Sequence, residues 1–239
     1  MIRPKALTSL SIVFPCYNEE ANVATMIEQS VKTAESYGMD YEVVVVDDGS
    51  RDRTSEIVKK MAAQNPKVRL VQHEKNQGYG AAVRTALKGA KKDLVFFTDG
   101  DNQFHLSDID KLFSRIDDCD VVAGYRISRQ DKWHRRLNGF LWTQGNKVLF
   151  QIPVRDVDCA FKLFRRKVLD GLELKSKQLL IHAEVIARLR KRGWRIQEIG
   201  IPHYPRTAGK ATATGLTRIL RTFAETAGLF QDISREKRP

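Results

Sequence analysis

Residues 94–103 read LVFFTDGDNQ, and this stretch decides the fold because an apolar run leads directly into two carboxylates. A short apolar run bounded by polar turn residues predicts a buried strand of a parallel sheet. Open α/β sheets bind their ligands at the carboxyl ends of such strands. We therefore expect Asp99 and Asp101 to lie at a strand end that borders a binding site.

The spacing of Asp99 and Asp101 suits a divalent metal. Mg²⁺ and Mn²⁺ prefer carboxylate, water and phosphate oxygens as ligands. Gly100, between the two carboxylates, would let a bound group approach the backbone closely. For such a pair taken alone, a solvated Asp-Gly turn is the alternative, because both residue types are common in turns.

The composition indicates a basic globular chain without disulfide bonds. The chain has 239 residues, 42% of them hydrophobic, and a formal net charge of +12. A charge of this size predicts an anionic partner, and nucleic acid, phosphorylated substrates and anionic lipid surfaces all qualify. The three cysteines, Cys16, Cys119 and Cys159, are widely spaced and contain no zinc-binding pair, which favours a reducing compartment.

Strand and helix patterns alternate along the first half of the chain. Four consecutive valines at residues 43–46 predict a strand buried on both faces, which runs into Asp47 and Asp48. We expect five such strands with helices between them, and therefore an α/β fold with right-handed βαβ units in a mostly parallel sheet. After the first strand, Asn18 is the expected N-cap of the following helix.

Two later segments, residues 133–150 and 214–231, have apolar side chains at helical spacing. Each apolar stripe either packs on the core of the domain itself or lies on a membrane surface, and the sequence leaves both possibilities open. We expect one domain over residues 1–239, with a core at about residues 8–210 and a C-terminal amphipathic helix at about residues 213–231. No apolar stretch reaches the ~20 residues needed to cross a bilayer.

Five segments, taken together and in order, resemble the family 2 glycosyltransferases, and more narrowly the polyprenyl-phosphate (dolichyl-phosphate) mannose and glucose synthases. They are residues 14–20 (FPCYNEE), 46–54 (VDDGSRDRT), 76–80 (NQGYG), 99–103 (DGDNQ) and 155–164 (RDVDCAFKLF). Each segment alone has low specificity, whereas five in the family's order are a strong signal. The resemblance implies a single GT-A (Rossmann-like) domain, a nucleotide-sugar donor and Mg²⁺ or Mn²⁺.

The resemblance implies a nucleoside site on the first two strands. The residues that match it are Pro15, Tyr17, Glu19, Val46 and Asp48. A carboxylate such as that of Asp48 can accept a hydrogen bond from a base N–H or from ribose hydroxyls. Asp47 either shares this role or caps the following turn.

A metal and diphosphate site is also implied by the resemblance. Asp99, Asp101 and Gln103 match its metal positions, and Gly100 lies among the substrate-binding ones. Gln103 is neutral, so its amide oxygen would be a weaker ligand than the two carboxylates. Arg126 matches a family arginine near the phosphates, with a surface arginine after a strand as the alternative.

For the acceptor phosphate, the resemblance implies a set of basic residues. Arg135 and Arg136 match an arginine pair of the family, and a guanidinium can bind phosphate oxygens in a bidentate way. The alternative is a basic face on a peripheral helix. Arg206 and Lys210 resemble a later Arg-x-x-Gly segment, although the usual Ser-Lys after it is replaced at residues 211–212.

The implied reaction transfers a hexose, from a donor of the GDP-mannose or UDP-glucose type, by direct displacement with inversion. The nucleophile would be an oxygen of a polyprenyl (dolichyl) phosphate, which is largely ionised at neutral pH because its second pKa is about 6. A strong general base is therefore not required. Asp156 would orient the sugar or the acceptor, and we take Asp156, Asp101 and Arg126 as the catalytic candidates.

The acceptor separates the rival functions. A glycosyltransferase acting on a soluble or saccharide hydroxyl would need a positioned base, for which Asp156 and Asp158 are the candidates. Nucleic-acid binding is suggested by charge alone, and carboxylates at strand ends would repel that ligand, so we expect no nucleic-acid partner. A lipid acceptor predicts a cytoplasmic protein, peripheral at the inner face of a membrane and held by the membrane surface or by a separate anchoring protein.

Overall fold

The computed structural model describes residues 4, 9–127, 133–205 and 216–235, with side chains in all of these except 133–139 and 216–224. The strands in these ranges are β1 (Ser9–Cys16), β2 (Asp40–Asp47), β3 (Val68–Gln72), β4 (Leu94–Thr98), β5 (Val121–Ile127), β6 (Phe161–Arg165) and β7 (Ile196–Pro202). The helices are α1 (Val23–Ser36), α2 (Thr54–Gln64), α3 (Tyr79–Gly89), α4 (Ile109–Ile116), α5 (Trp133–Phe150), α6 (Leu180–Lys191) and α7 (Leu216–Arg235). Short 3₁₀ helices span Leu106–Asp108 and Arg166–Leu169.

The strands form one sheet in the order β3-β2-β1-β4-β6-β5-β7. Neighbouring strands are parallel except where β6 pairs with β4 and β5. The predicted α/β fold with a mostly parallel sheet is therefore confirmed. The start of β6 lies at the same edge of the sheet as the carboxyl ends of the parallel strands, because β6 runs in the opposite direction.

Two hydrophobic cores enclose the sheet, which explains why its strands are apolar without interruption. Alternate side chains of a strand point to opposite faces. On β4, Val95 and Phe97 enter the core shared with α3 and α6, whereas Leu94 and Phe96 enter the core shared with α1 and α4. All four side chains are at most 1% exposed.

The expectation that Asn18 caps the first helix is wrong. Helix α1 begins at Val23, and its N-cap residue is Asn22. Asn18 instead has a left-handed backbone with φ 55°, a conformation that asparagine tolerates better than most residues. Its Oδ1 accepts a hydrogen bond from the backbone N–H of Arg51, so this side chain joins two loops rather than starting a helix.

Helices α5 and α7 differ in what their apolar side chains contact. In α7, Leu229 and Ile233 are buried in the core, so this helix packs on the domain, but through other residues than the predicted stripe, whose members Ala227 and Phe230 are exposed. In the described part of α5, Thr143 and Asn146 are buried, while four large apolar side chains are exposed together with Gln144: Phe140, Leu141, Val148 and Leu149. Within the described ranges, no helix has both the length and the apolar character that a membrane span requires.

Candidate functional site

The predicted site residues meet at one edge of the sheet because of strand direction. The carboxyl ends of β1 and β2 are adjacent, and their register pairs Pro15 with Val46. The end of β4 lies on the other side of β1, and Thr98 pairs with Phe161 at the start of β6. The segments before β6 and after β5 and β7 therefore reach the same edge.

Two loops at this edge, residues 17–20 after β1 and 50–54 after β2, are joined by hydrogen bonds. These bonds run from Asn18 N to Ser50 Oγ (2.9 Å), from Glu19 N to Thr54 Oγ1 (2.9 Å) and from Glu20 N to Asp52 Oδ2 (3.1 Å). Pro15 is buried beside them, and Tyr17 and Glu19 are partly exposed. The structure brings these three predicted nucleoside residues together, and their contact with a nucleoside stays a prediction.

Asp48 holds the glycine-containing loop in place. Its carboxylate accepts hydrogen bonds from Gln77 N (2.9 Å) and Gly78 N (2.9 Å), and it lies 2.7 Å from His73 Nδ1. The residue is 2% exposed. Three partners within the chain leave little of this carboxylate for a base or a ribose, so its clearest role is to anchor residues 76–78.

The other two residues at the end of β2 are also turned inward. Val46 is completely buried in the hydrophobic core, so its backbone rather than its side chain faces the edge. Asp47 accepts hydrogen bonds from Ser50 N at 3.0 Å and from Gln72 Nε2 at 3.3 Å. For Asp47, this geometry favours the turn-capping alternative over contact with a nucleoside.

The loop after β4 is tied to the loop after β7. Gln103 N donates to Asp101 Oδ1 at 3.3 Å, and Asn102 between them has φ 60°. The Gln103 side-chain amide donates to the carbonyl oxygen of Tyr204 at 3.1 Å, and Tyr204 N donates to the Gln103 carbonyl oxygen at 3.0 Å. Because the side-chain nitrogen of Gln103 is engaged with Tyr204, Oε1 is the atom of Gln103 that could bind a metal.

Gly100 packs against β1. A Cβ built at this position would lie 2.9 Å from both Cys16 Sγ and the carbonyl oxygen of Pro15. A side chain would therefore collide with β1, and this contact explains the glycine without any ligand. The role of Gly100 in substrate binding stays a prediction.

Asp99 and Asp101 are close enough for their carboxylates to repel each other. Burial and the nearby charge of Asp101 raise the pKa of Asp99 to about 7. A divalent cation would offset this repulsion, and two carboxylates are suitable ligands for Mg²⁺ or Mn²⁺. In the part of the chain that the structure describes, no group of three or more His, Cys, Asp or Glu side chains could hold a metal alone. A metal here would complete its coordination with phosphate oxygens and water.

Arg126 and Asp156 bind each other. Arg126 Nε donates to Asp156 Oδ2 at 2.6 Å, and a terminal guanidinium N–H donates to Oδ1 at 2.7 Å. Burial by itself would lower the pKa of Arg126, but the Asp156 carboxylate raises it further than burial lowers it. The structure therefore brings both predicted residues to the edge as a charged pair, and this pairing makes Asp156 a poor proton acceptor.

Three polar residues of the site, Tyr79, His182 and Lys162, were not predicted as members, and a fourth, Asp158, was predicted only as a base for a hydroxyl acceptor. Tyr79 donates to Asp99 Oδ1 at 2.7 Å and contacts His182, and burial lowers the pKa of His182 well below its ordinary value. Lys162 is 1% exposed, and its ammonium donates to the carbonyl oxygens of Val157 and Cys159. Asp158 accepts from Trp142 Nε1 at 3.1 Å. Lys162 and Tyr79 lie within the segments that carry the family resemblance, and this position was the signal that could have identified them.

Replacing Asp158 with asparagine is expected to stabilise the fold at neutral pH. Burial raises the pKa of Asp158 from 3.8 to about 6, although Arg126 opposes this change. The folded protein therefore holds this proton more tightly than the unfolded chain, so stability falls as pH rises from about 4 to 6. The raised pKa corresponds to about 3 kcal/mol. Asp158→Asn, which keeps an acceptor for Trp142, should recover about 2–3 kcal/mol at pH 8.

Urea unfolding at pH 4 and at pH 8 measures this effect, and the stabilisation should almost disappear at pH 4. Asp40 is the matched control, since its hydrogen bond with Lys92 lowers its pKa. Asp40→Asn should not stabilise the fold at either pH. Equal stability of wild type and Asp158→Asn at pH 8 would contradict the prediction.

The structure does not describe the side chains of the residues that were predicted to bind the acceptor phosphate. Arg135 and Arg136 belong to helix α5, but their side chains are outside the described residues. Arg206 and Lys210 lie outside the described residues altogether. Their contact with an acceptor phosphate stays a prediction.

Comparison with known proteins identifies relatives of this chain. The sequence profile described as Glycosyl transferase family 2 matches residues 11–172. The chain is 32% identical over 218 residues to an undecaprenyl-phosphate 4-deoxy-4-formamido-L-arabinose transferase of Edwardsiella ictaluri, covering 87% of this chain and 63% of that protein. The Aeromonas hydrophila transferase of the same name is 29% identical over 207 residues, with 84% and 62% covered. The chain thus spans less than two thirds of the length of these relatives.

Solved structures share the fold at low sequence identity. Mycobacterium tuberculosis glucosyl-3-phosphoglycerate synthase, in complex with Mn²⁺, UDP and phosphoglyceric acid, has a TM-score of 0.71 at 17% identity, covering 98% of this chain and 81% of that one. A mannosyltransferase of Pyrobaculum calidifontis, in complex with GDP-Man and Mn²⁺, has a TM-score of 0.66 at 18% identity, covering 100% and 68%. At these identities the similarity concerns the fold alone.

Proposed function

Because the chain belongs to glycosyl transferase family 2, we propose that it transfers a sugar from a nucleotide-sugar donor to a polyprenyl phosphate, with inversion and with a divalent metal. The observation that carries this proposal is the acidic pair Asp99 and Asp101 at the end of the central strand β4. The loops after β1 and β2 lie beside this pair and suit a nucleoside. The names of the curated relatives, which are undecaprenyl-phosphate sugar transferases, support the acceptor.

In this proposal the acidic residues would bind the metal, and the basic residues would bind phosphate groups. Asp99 and Asp101 would hold Mg²⁺ or Mn²⁺, with Gln103 as a weaker third ligand, and the metal would offset the charge of the leaving diphosphate. The Mn²⁺ complexes among the structural neighbours support this choice of ion. Arg126, fixed in orientation by Asp156, would direct its remaining N–H groups towards phosphate oxygens.

The pairing of Asp156 with Arg126 agrees with a phosphate acceptor, which needs no general base. Asp156 is held by a guanidinium on both carboxylate oxygens and is therefore poorly suited to remove a proton. A phosphate nucleophile needs no such base at neutral pH. Arg135, Arg136, Arg206 and Lys210 would bind the acceptor phosphate in this proposal.

A hydroxyl acceptor is the second candidate, and one observation favours it. Burial raises the pKa of Asp158 to about 6, which is close to the value that suits a general base at neutral pH. If the acceptor were a sugar or another alcohol, Asp158 rather than Asp156 would be the base. Rates with an extracted polyprenyl phosphate, compared with a panel of soluble hydroxyl acceptors, separate the two candidates.

We expect a GDP- or UDP-sugar to raise the melting temperature of the protein only when Mn²⁺ or Mg²⁺ is present. A ligand that binds the folded state at 100 times its dissociation constant stabilises it by about 2.7 kcal/mol. Thermal melting with a panel of nucleotide sugars, with metal or with EDTA, measures this stabilisation and identifies the nucleobase of the preferred donor. An unchanged melting temperature with every donor would contradict the proposed donor class.

Access to a lipid acceptor requires a membrane surface or a membrane partner. The exposed apolar side chains of α5, together with the net charge of +12, support peripheral contact with an anionic membrane. Phe140, Leu141, Val148 and Leu149 would enter the interface. In this proposal the chain works at the inner face of a membrane, from the cytoplasmic side.

A further inference from the structure

One tyrosine connects the acidic pair to a buried histidine. Tyr79 is the first residue of α3, and its Oη lies 2.7 Å from Asp99 Oδ1 and 2.9 Å from His182 Nε2 on α6. His182 is 3% exposed, and its ring packs against those of Tyr79 and Phe97. The three polar side chains come from α3, the loop after β4 and α6, so their meeting depends on the tertiary fold.

The direction of the two hydrogen bonds follows from their donors. As a metal ligand Asp99 must be ionised and can then only accept, so in that state the single phenolic proton of Tyr79 is donated to Asp99. Tyr79 Oη is then an acceptor for the N–H of His182 Nε2. The chain of donors therefore runs from His182 through Tyr79 to Asp99 Oδ1, which leaves Oδ2 of Asp99 for another partner.

Two backbone contacts at Gly80 fix the start of α3 against the segment before α6, and so fix the relative positions of Tyr79 and His182. Gly80 N donates to the carbonyl oxygen of Lys177 at 2.9 Å, and a Cβ at Gly80 would lie 2.5 Å from the carbonyl oxygen of Ser176. Glu184 on α6 in turn accepts from Ser176 N at 2.8 Å. The start of α3 is thus fastened to the segment that leads into α6, so that the two side chains cannot easily move apart.

We propose that Tyr79 and His182 are positioning residues that fix the Asp99 carboxylate for the metal. This inference rests on the proposed function, since it concerns the same acidic pair. Partners that orient a metal ligand are typically worth 10- to 100-fold in metal affinity. Tyr79 also follows Gly78, whose N–H donates to Asp48. The same short loop therefore connects Asp48, at the predicted nucleoside site, with Asp99, the proposed metal ligand.

Tyr79→Phe removes the phenolic oxygen and keeps the ring, and it should raise the dissociation constant for Mn²⁺ about tenfold or more. Free Mn²⁺, measured by electron paramagnetic resonance in the presence of UDP or GDP, gives this constant without turnover. Tyr37→Phe is the matched control, because Tyr37 donates to Asp110 Oδ1 at 2.6 Å away from the site. Tyr37→Phe should leave Mn²⁺ affinity unchanged even if it lowers the melting temperature.

The histidine is tested by a pair of substitutions. His182→Leu should weaken Mn²⁺ binding, whereas His182→Gln, with an amide N–H near the position of Nε2, should restore most of the affinity. Wild-type affinity in Tyr79→Phe would overturn the inference while leaving the proposed function in place, provided that Asp101→Asn abolishes Mn²⁺ binding. Failure of the wild type to bind Mn²⁺ with either nucleotide would overturn the metal site itself and this inference with it.

Discussion

Asp101→Asn is expected to lower sugar turnover about 1000-fold while the protein remains folded. The substitution keeps the shape of the side chain and an Oδ1 that can accept from Gln103 N. It removes one of the two charges that would hold the cation opposite the leaving diphosphate. Loss of one electrostatic stabiliser of a transition state typically costs 10²- to 10³-fold, and a 1000-fold loss is about 4 kcal/mol.

Initial rates with a nucleotide-sugar donor, Mn²⁺ and a polyprenyl phosphate measure this effect. Asp40→Asn is a suitable control, because Asp40 begins β2 at the opposite edge of the sheet and pairs with Lys92. The control should retain wild-type turnover, and both variants should melt within a few degrees of the wild type. Turnover of Asp101→Asn within tenfold of the wild type, or turnover unaffected by a chelator, would refute the metal-dependent mechanism.

Arg126→Met should lower the free energy of unfolding by about 3–5 kcal/mol. The side chains of Arg126 and Asp156 are only 15% and 10% exposed, so the substitution leaves a carboxylate buried without its guanidinium. Breaking a buried ion pair by removing one partner typically has a cost of this size. For a chain of 239 residues, such a loss corresponds to a melting temperature about 10 °C lower.

The double variant Arg126→Met/Asp156→Leu tests the cause of that loss. It removes both charges, and replacing a whole buried pair by apolar side chains is often neutral or stabilising. We therefore expect urea unfolding to show most of the lost stability restored in the double variant. Its turnover should stay low, because Arg126 is proposed to bind phosphate. A single variant that loses less than about 1 kcal/mol would mean that the pair behaves like an exposed one.

The first four strands could be predicted because each is encoded locally. The apolar runs of β1, β2 and β4 end at polar turn residues, which makes the carboxyl ends of these strands recognisable in the sequence. The reversed direction of β6 could not be predicted, because direction is set by where the preceding loop leaves the sheet. Asn18 was misassigned for a related reason, since its partner Arg51 is distant in sequence.

The sequence identified which segments of the chain form the site, but not which of their side chains contact one another. The apolar run before the acidic pair predicted its place at a strand end, and the family resemblance implied its metal role, whereas the bond between Arg126 and Asp156 joins residues 30 positions apart. The contact between Tyr79 and His182 spans 103 positions. No local pattern encodes which charged or polar groups meet, so residues such as His182 become visible only after the sheet and helices are assembled.

The position of β6 affects how the chain folds during its synthesis. Strands β1 to β4 can pair as soon as the first hundred residues leave the ribosome, but β4 then ends that sheet with one side unpaired until β6 is synthesised. Its sequence LVFF is apolar, and open apolar edges of this kind promote aggregation. Slower synthesis, or truncation before residue 161, should therefore make the nascent chain dependent on chaperones.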